Sequence, residues 1–298
     1  MGLQIKQKGM IILGKITRQE LSNGVRSELD KSGDLSLLET TEKGTLVGAI
    51  NEVDGDLTTH LADYIDKSPD NAYAHNSIYR GKYLGTSYTA AQQVAVSAGT
   101  FEDLYIGDYW TIGGINYRIA AFNYFRNVGD TNFTTNHITI VPDTQLYTAR
   151  MNETNTTVGG YTGSEMRTTN LSTAITTINN AFPSRVVTHR QILVNAAASG
   201  VASGWAWTGS SVELMNEVMV YGTGAWGVSS IGNGYNVASS NGRLPLFVFR
   251  QDLVNNRQSY WLRDVASATA FALVRSYGYA SYNVASYVSG VRPAFSIS

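Results

Sequence analysis

Apolar residues recur along this chain at two different periods, and the change falls near residue 67. Leu46, Ile50, Val53, Leu57, His60 and Tyr64 are spaced 4, 3, 4, 3 and 4 apart, the heptad alternation that lines one seam of a helix. Leu61 and Ile65 lie beside the seam and widen it. Thr41 or Thr45 is placed to cap the start. Ser68-Pro69 ends it, because the residue before a proline is driven out of the helical region. About three heptads are marginal as an isolated helix, so the stripe predicts a self-associating stalk over residues 44–67. The expected assembly is a homotrimer, although a polar His60 on the seam is also compatible with a dimer. The alternative is an amphipathic helix packed on the chain's own head. His60 reads as an interface residue rather than a metal ligand.

Before the stalk, residues 15–43 hold short helical patches broken by Gly24 and Gly33, and Met10 to Leu13 is a brief apolar run. Residues 1–43 are therefore expected to form an attachment segment that docks on another protein. After it, residues 68–77 read as a linker. From Ile78 short apolar runs alternate with turn residues, which predicts strands at Ile78–Tyr83, Phe101–Ile106, Asp108–Ile112, Asn116–Phe122 and His137–Val141. Gly113-Gly114 between two such runs signals a two-residue hairpin. Helices are predicted over Thr89–Ala98, Met166–Phe182 (Leu171, Ile175 and Ile178 on one face), Thr188–Ala198 and Ser211–Met219. Further strands are expected at Leu244–Phe249, Ser259–Leu262, Phe271–Val274 and Val291–Ile297. The fold class is α+β: a helical coiled-coil stalk, then a mixed head with long loops over residues 78–298.

Charge sharpens the division. Residues 1–67 carry 19 of the 45 charged side chains, and the remaining 231 residues carry 26. A net charge of −1 disfavours a nucleic-acid binder, which needs a basic face, and a polybasic membrane-surface protein. Without cysteine there is no thiolate nucleophile, disulfide or Cys-based metal site. The N-terminus lacks a signal-peptide core, and no run approaches the ~20 apolar residues that span a bilayer. No membrane insertion and no cofactor are expected.

Enzyme motifs are weak. Gly222 to Gly227 matches the dinucleotide fingerprint, but no strand precedes it and no acid follows about 20 positions on. His60, His75, His137 and His189 form no zinc-ligand pair. His189, flanked by Thr188 and Arg190, is expected to cap a helix start. Asp143, Glu153, Glu165, Glu213, Glu217, Asp252 and Asp264 could supply carboxylates for glycoside hydrolysis, but no spacing singles out a pair.

The strongest signal is FALVRSYGYASYNVASYV over residues 271–288, with Tyr277, Tyr279, Tyr282 and Tyr287 among small polar residues. Tyrosine offers large amphipathic contact area at low entropic cost, and Ser, Gly and Asn adapt around it. The plainer reading is a partly exposed sheet face.

Trp261-Leu-Arg263 before this stretch and Gly290-Val-Arg-Pro-Ala-Phe295 after it resemble the C-terminus of a lectin-like domain. With Asp108–Ile112, Ile115–Ile119 and Glu213–Glu217, residues 78–298 are similar to the C-type-lectin-fold heads of bacteriophage tail proteins and of retroelement-diversified variable proteins. The stalk segment Gly44–Val53 resembles helical parts of phage tail-fibre and baseplate proteins. The resemblance implies that Trp261, Arg263, Arg292 and Phe295 are scaffold. It further implies that Leu273, Arg275, Tyr277, Tyr279, Ser281, Tyr282, Asn283, Ser286 and Tyr287 are displayed for binding. The formylglycine-generating enzymes share that fold but need cysteines, which this chain lacks, and the calcium motifs of sugar-binding lectins are absent. The implied function is a non-enzymatic receptor-binding adhesin in a virion tail. Its partners would be a bacterial surface glycan or protein and, through the N-terminus, other tail or baseplate proteins. The alternatives are a glycan depolymerase and a structural baseplate protein.

Overall fold

The computed structural model describes residue 41, residues 51–53, 55–57 and 59–60, and residues 71–224 and 242–298. The chain divides into two compact units, Met1–Tyr64 and Ile65–Ser298, close to the change in charge. In the first unit the described positions from 51 to 60 are helical. Val53 and Leu57 stand in water, 55% and 65% exposed, so part of the apolar stripe has no cover within the chain's described residues. Leu46, Ile50, Tyr64 and residues 1–40 of the expected attachment segment lie outside the described residues.

The second unit is mixed α+β. In chain order it runs α1 (Asn71–Asn76), α2 (Ala90–Ala98), β1 (Tyr109–Ile112), β2 (Ile115–Phe122), β3 (Ile138–Pro142) and β4 (Tyr147–Ala149). A π-helical turn, Met166–Asn170, leads into α3 (Leu171–Ala181), followed by β5 (His189–Ala198), β6 (Val201–Ser210), β7 (Val212–Leu214) and α4 (Glu217–Tyr221). Then come α5 (Pro245–Phe249), a 3₁₀ turn (Gln251–Leu253), β8 (Tyr260–Val265), β9 (Ala270–Val274), β10 (Ala280–Val284), β11 (Ser289–Val291) and β12 (Pro293–Ile297).

Two five-stranded sheets and one ribbon result: β1-β2-β3-β12-β7, β10-β9-β8-β11-β4, and the β5–β6 pair. The hairpin between β1 and β2 forms where Gly113-Gly114 predicts it. Both glycines have positive φ, 60° and 79°, as a twist-matched two-residue turn requires. Thr89 caps α2 in a reciprocal capping box with Gln92, and Gln92 also accepts a 3.1 Å bond from the Trp110 indole on β1. At the end of α3, Phe182 plugs the first sheet. Its ring centroid lies 5.2–6.0 Å from those of Trp110, Tyr117 and Phe295.

Several expectations fail. Residues 189–198 are a strand, not a helix. Their inward positions alternate as a strand's do, but His189 and Gln191 occupy two of them and hide the apolar period. Gln191 is satisfied by a buried network, whereas His189 meets only Gln191 through Nε2 and its Nδ1 has no hydrogen-bond partner among the described residues. Gln191 accepts from Arg263 at 2.6 Å and donates to Ser210; Glu213 takes Ser210, Tyr161 and Arg167 at 2.7–3.0 Å. Residues 245–249 are a helix rather than a strand, with Pro245 in its first turn, where a missing N–H costs nothing. Over residues 211–219 a strand, β7, precedes α4. Asn71–Asn76, inside the expected linker, is a helix tied into the head: Asn76 exchanges bonds with the Phe122 backbone at 2.8 and 2.9 Å. The Ile78–Tyr83 and Phe101–Ile106 segments hold only isolated bridges, Tyr79 to Ile106 and Tyr83 to Tyr109.

One residue joins the two sheets. β11 belongs to the second sheet and β12 to the first, and Arg292 is the residue between them. It is fully buried. Its Nε donates to the Pro142 carbonyl at the end of β3, and its Nη1 donates to the Leu253 carbonyl, both at 2.8 Å. The guanidinium also lies 5.0 Å from the Tyr260 ring centroid and 5.5 Å from that of Phe247. Arg292→Met keeps most of the volume but leaves two buried carbonyls unpaired. It is expected to lower the unfolding free energy by ~2–4 kcal/mol in a urea titration. A loss under ~1 kcal/mol would show that those carbonyls find other donors.

Candidate functional site

The scaffold residues named by the motifs are all buried. Trp261 and Phe295 are essentially inaccessible and Arg263 nearly so. The Trp261 indole donates to the Ala149 carbonyl at 2.9 Å, tying β8 to β4. The Arg263 backbone N–H donates to Met215 at 3.0 Å, tying β8 to the loop before α4.

Between these anchors the chain forms the β9–β10 hairpin at one edge of the second sheet. β9 is buried along its whole length. Leu273 therefore belongs to the core and is not displayed, a correction that its position inside β9 explains. At the tip Gly278 donates to the Arg275 carbonyl at 2.8 Å and Arg275 donates to Tyr279 at 3.0 Å. Gly278 has φ +87°, which a side chain would strain. Tyr277 and Tyr279 project from this tip, 72% and 57% exposed, and Tyr282, Val284, Tyr287 and Val288 continue the apolar surface.

The remaining expected binders mostly build the hairpin. Arg275 lies across it, donating to Ser281 Oγ at 3.3 Å and to the Tyr282 carbonyl at 3.2 Å. Asn283 Oδ1 accepts from the Val284 N–H at 2.9 Å. Ser286 is held by Asn155 through both its N–H and its hydroxyl. Tyr287 meets Trp261 edge-on, centroids 6.3 Å apart.

Beside the tip lies a cleft of about 450 Å³, lined by Tyr221, Arg243, Gln251, Asp252, Val254, Asn255, Tyr277 and Gly278. The Tyr221 hydroxyl donates to the Gly278 carbonyl at 3.0 Å and so fixes the tip against α4. Apart from Tyr277, and Asp252 among the candidate carboxylates, these residues escaped the sequence reading. They come from four segments, and no local spacing links them.

The candidate carboxylates are engaged elsewhere. Asp143 pairs with Arg118 at 2.6 Å; Glu153 and Glu165 pair with Arg150; Glu213 pairs with Arg167; Asp252 pairs with Arg250. Glu217 and Asp264 are buried together, with the Glu217 N–H donating to Asp264 Oδ2 at 2.7 Å. Burial, and then the negative charge of Glu217, push the Asp264 carboxyl up to about 7. His189 caps no helix. It starts β5 and stacks on Phe125 with centroids 3.8 Å apart, and burial pulls it down to about 3. Burial likewise pulls His137 down to about 4. Among the described residues no group of three or more His, Asp or Glu side chains is placed to hold a metal ion, and no helix is long and apolar enough to cross a membrane.

No protein family matches the chain, and no curated protein or solved structure matches it at a significant level.

The buried titratable groups set opposite pH trends. Asp264 binds its proton more tightly when folded, so its stabilising contribution is full below pH ~4 and is lost as pH rises through about 7. His137 and His189 contribute above pH ~6.5 and lose that contribution as pH falls towards about 4 and 3. Asp264→Asn keeps an acceptor for the Glu217 N–H. It is expected to stabilise the protein by ~2–4 kcal/mol at pH 8 and to be neutral at pH 4 in denaturant titrations. An equal effect at both pH values would place the proton elsewhere.

Proposed function

We propose that this chain is the receptor-binding adhesin of a phage tail or tail-like particle, with a C-type-lectin-like head that attaches to a bacterial surface component. The observation that carries the reading is the displayed edge hairpin. Tyr277, Tyr279, Tyr282, Val284, Tyr287 and Val288 leave an apolar, largely aromatic surface in water, while the flanking Trp261, Arg263, Arg292 and Phe295 are buried. Contiguous exposed apolar surface of this kind marks interaction sites, and tyrosine suits binding without deep pockets. The lectin-like assignment is supported by the same split between buried frame and displayed segment.

The head acts by binding rather than by hydrolysis. Five of the seven candidate acids are held by arginines, and the other two are buried against each other. A glycosidase needs one carboxyl free to protonate the leaving group and a second facing the sugar. The N-terminal region attaches to other tail or baseplate proteins, and residues 44–67 form a trimeric coiled coil. Exposed Val53 and Leu57 support that reading, because an apolar seam in water is stabilised by a partner. Three linked heads raise avidity by ~10²–10⁴ over one.

Replacing Tyr277, Tyr279 and Tyr282 together with alanine is expected to abolish attachment to host cells while the circular dichroism spectrum of the head is retained. Attachment that survives would remove this face from the binding surface. Light scattering on the intact chain is expected to give three times the 32.4 kDa chain mass; a monomer would end the stalk proposal.

A further inference from the structure

The cleft beside the hairpin tip has a composition of its own. Its lining brings the exposed Tyr277 and Gly278 together with Arg243, Asn255 and Gln251 from other segments of the chain. At about 450 Å³ it falls within the range of small-molecule clefts, ~300–1,000 Å³. Its shape is locked. A Cβ at position 278 would come within 2.9 Å of Asn255 Cβ, so only glycine lets the tip approach this closely.

Its charge is one-sided. Asp252 is the acid in the lining, and both its oxygens are taken by Arg250 at 2.7 and 2.6 Å. Arg243 donates through Nε to the Val220 carbonyl at 2.9 Å and forms no ion pair among the described residues. The cleft thus presents a guanidinium without a carboxylate, next to an aromatic ring and two amide side chains. A guanidinium binds a planar carboxylate through two parallel charge-assisted bonds. An aromatic face packs the apolar side of a sugar ring, and Asn and Gln amides match hydroxyls as donor and acceptor at once.

The geometry points to a subsite for a carboxylate-bearing sugar, a hexuronate unit of an acidic glycan. Its carboxylate pairs with Arg243, its ring packs on Tyr277, and its hydroxyls meet Asn255 and Gln251. This inference rests on the adhesin reading and gives its receptor a chemical class.

The test titrates the full-length chain with sodium galacturonate and, separately, with neutral galactose, using ligand-observed NMR. The acid is expected to bind at least about fivefold more tightly than the neutral sugar. Arg243→Gln, which keeps a donor for the Val220 carbonyl, is expected to reduce galacturonate to the level of galactose. Tyr277→Ala, at an exposed tip, is expected to weaken both. Equal binding of the two sugars by the unaltered chain, binding of neither, or a preference that survives Arg243→Gln would each overturn the subsite. Host-cell attachment separates this from the broader reading. An Arg243→Gln protein that attaches normally, in a chain showing no acid preference, sinks the cleft and leaves the tyrosine face standing. Attachment unaffected by the triple tyrosine replacement sinks the face itself.

Discussion

Arg292 carries its guanidinium into the interior without an ion pair among the described residues. Nε and Nη1 are met by two backbone carbonyls and the group lies against two aromatic rings, Tyr260 and Phe247, while Nη2 has no hydrogen-bond partner among the described residues. A buried cation held this way tolerates little movement, because each lost bond exposes a desolvated group. The residue sits where the chain passes from one sheet to the other, so the two sheets, the 3₁₀ turn and α5 all take their positions from one guanidinium. The second buried arginine, Arg263, plays a related part through Gln191, reaching the β5–β6 ribbon.

The exposed edge follows from this frame. With β8 and β9 buried along their length, the segment between the anchors has one exposed margin, the tip and outer face of β10. The tyrosines are therefore displayed by the tip, by β10 and by the residues just after it, against a partner strand that is wholly internal. The neighbouring cleft exists because α4 and the 3₁₀ turn are held against the same tip, by Tyr221 on Gly278 and by the close approach of Gly278 to Asn255.

Much of this was legible in the sequence where the determinants are local. Gly113-Gly114 acts within a few residues and its hairpin formed as expected, and the helix expected from Thr89 formed as α2, with Thr89 as its cap. The tyrosine run and its two flanking motifs stood out by composition and order. What escaped is tertiary. β5 was misread because His189 and Gln191 face inward, and Gln191 is satisfied by an arginine 72 residues away. The apolar run of α5 was too short to separate helix from strand by period. Leu273 looked displayed because it lies between the two flanking motifs, although β9 is buried along its whole length. Arg243, Asn255 and Tyr221 meet only once the chain is folded, so no spacing could announce them.

β10 ends its sheet, and an edge strand with an exposed tyrosine and valine invites other chains to pair with it. Here the hairpin's own side chains occupy part of that margin: Arg275 takes the Tyr282 carbonyl and Asn283 takes the Val284 N–H. The rings stay available while the backbone ladder is partly closed to strangers. Many copies crowded together can thus expose sticky side chains without zipping into fibrils, and colloidal stability becomes a property of the same few residues proposed to make contact.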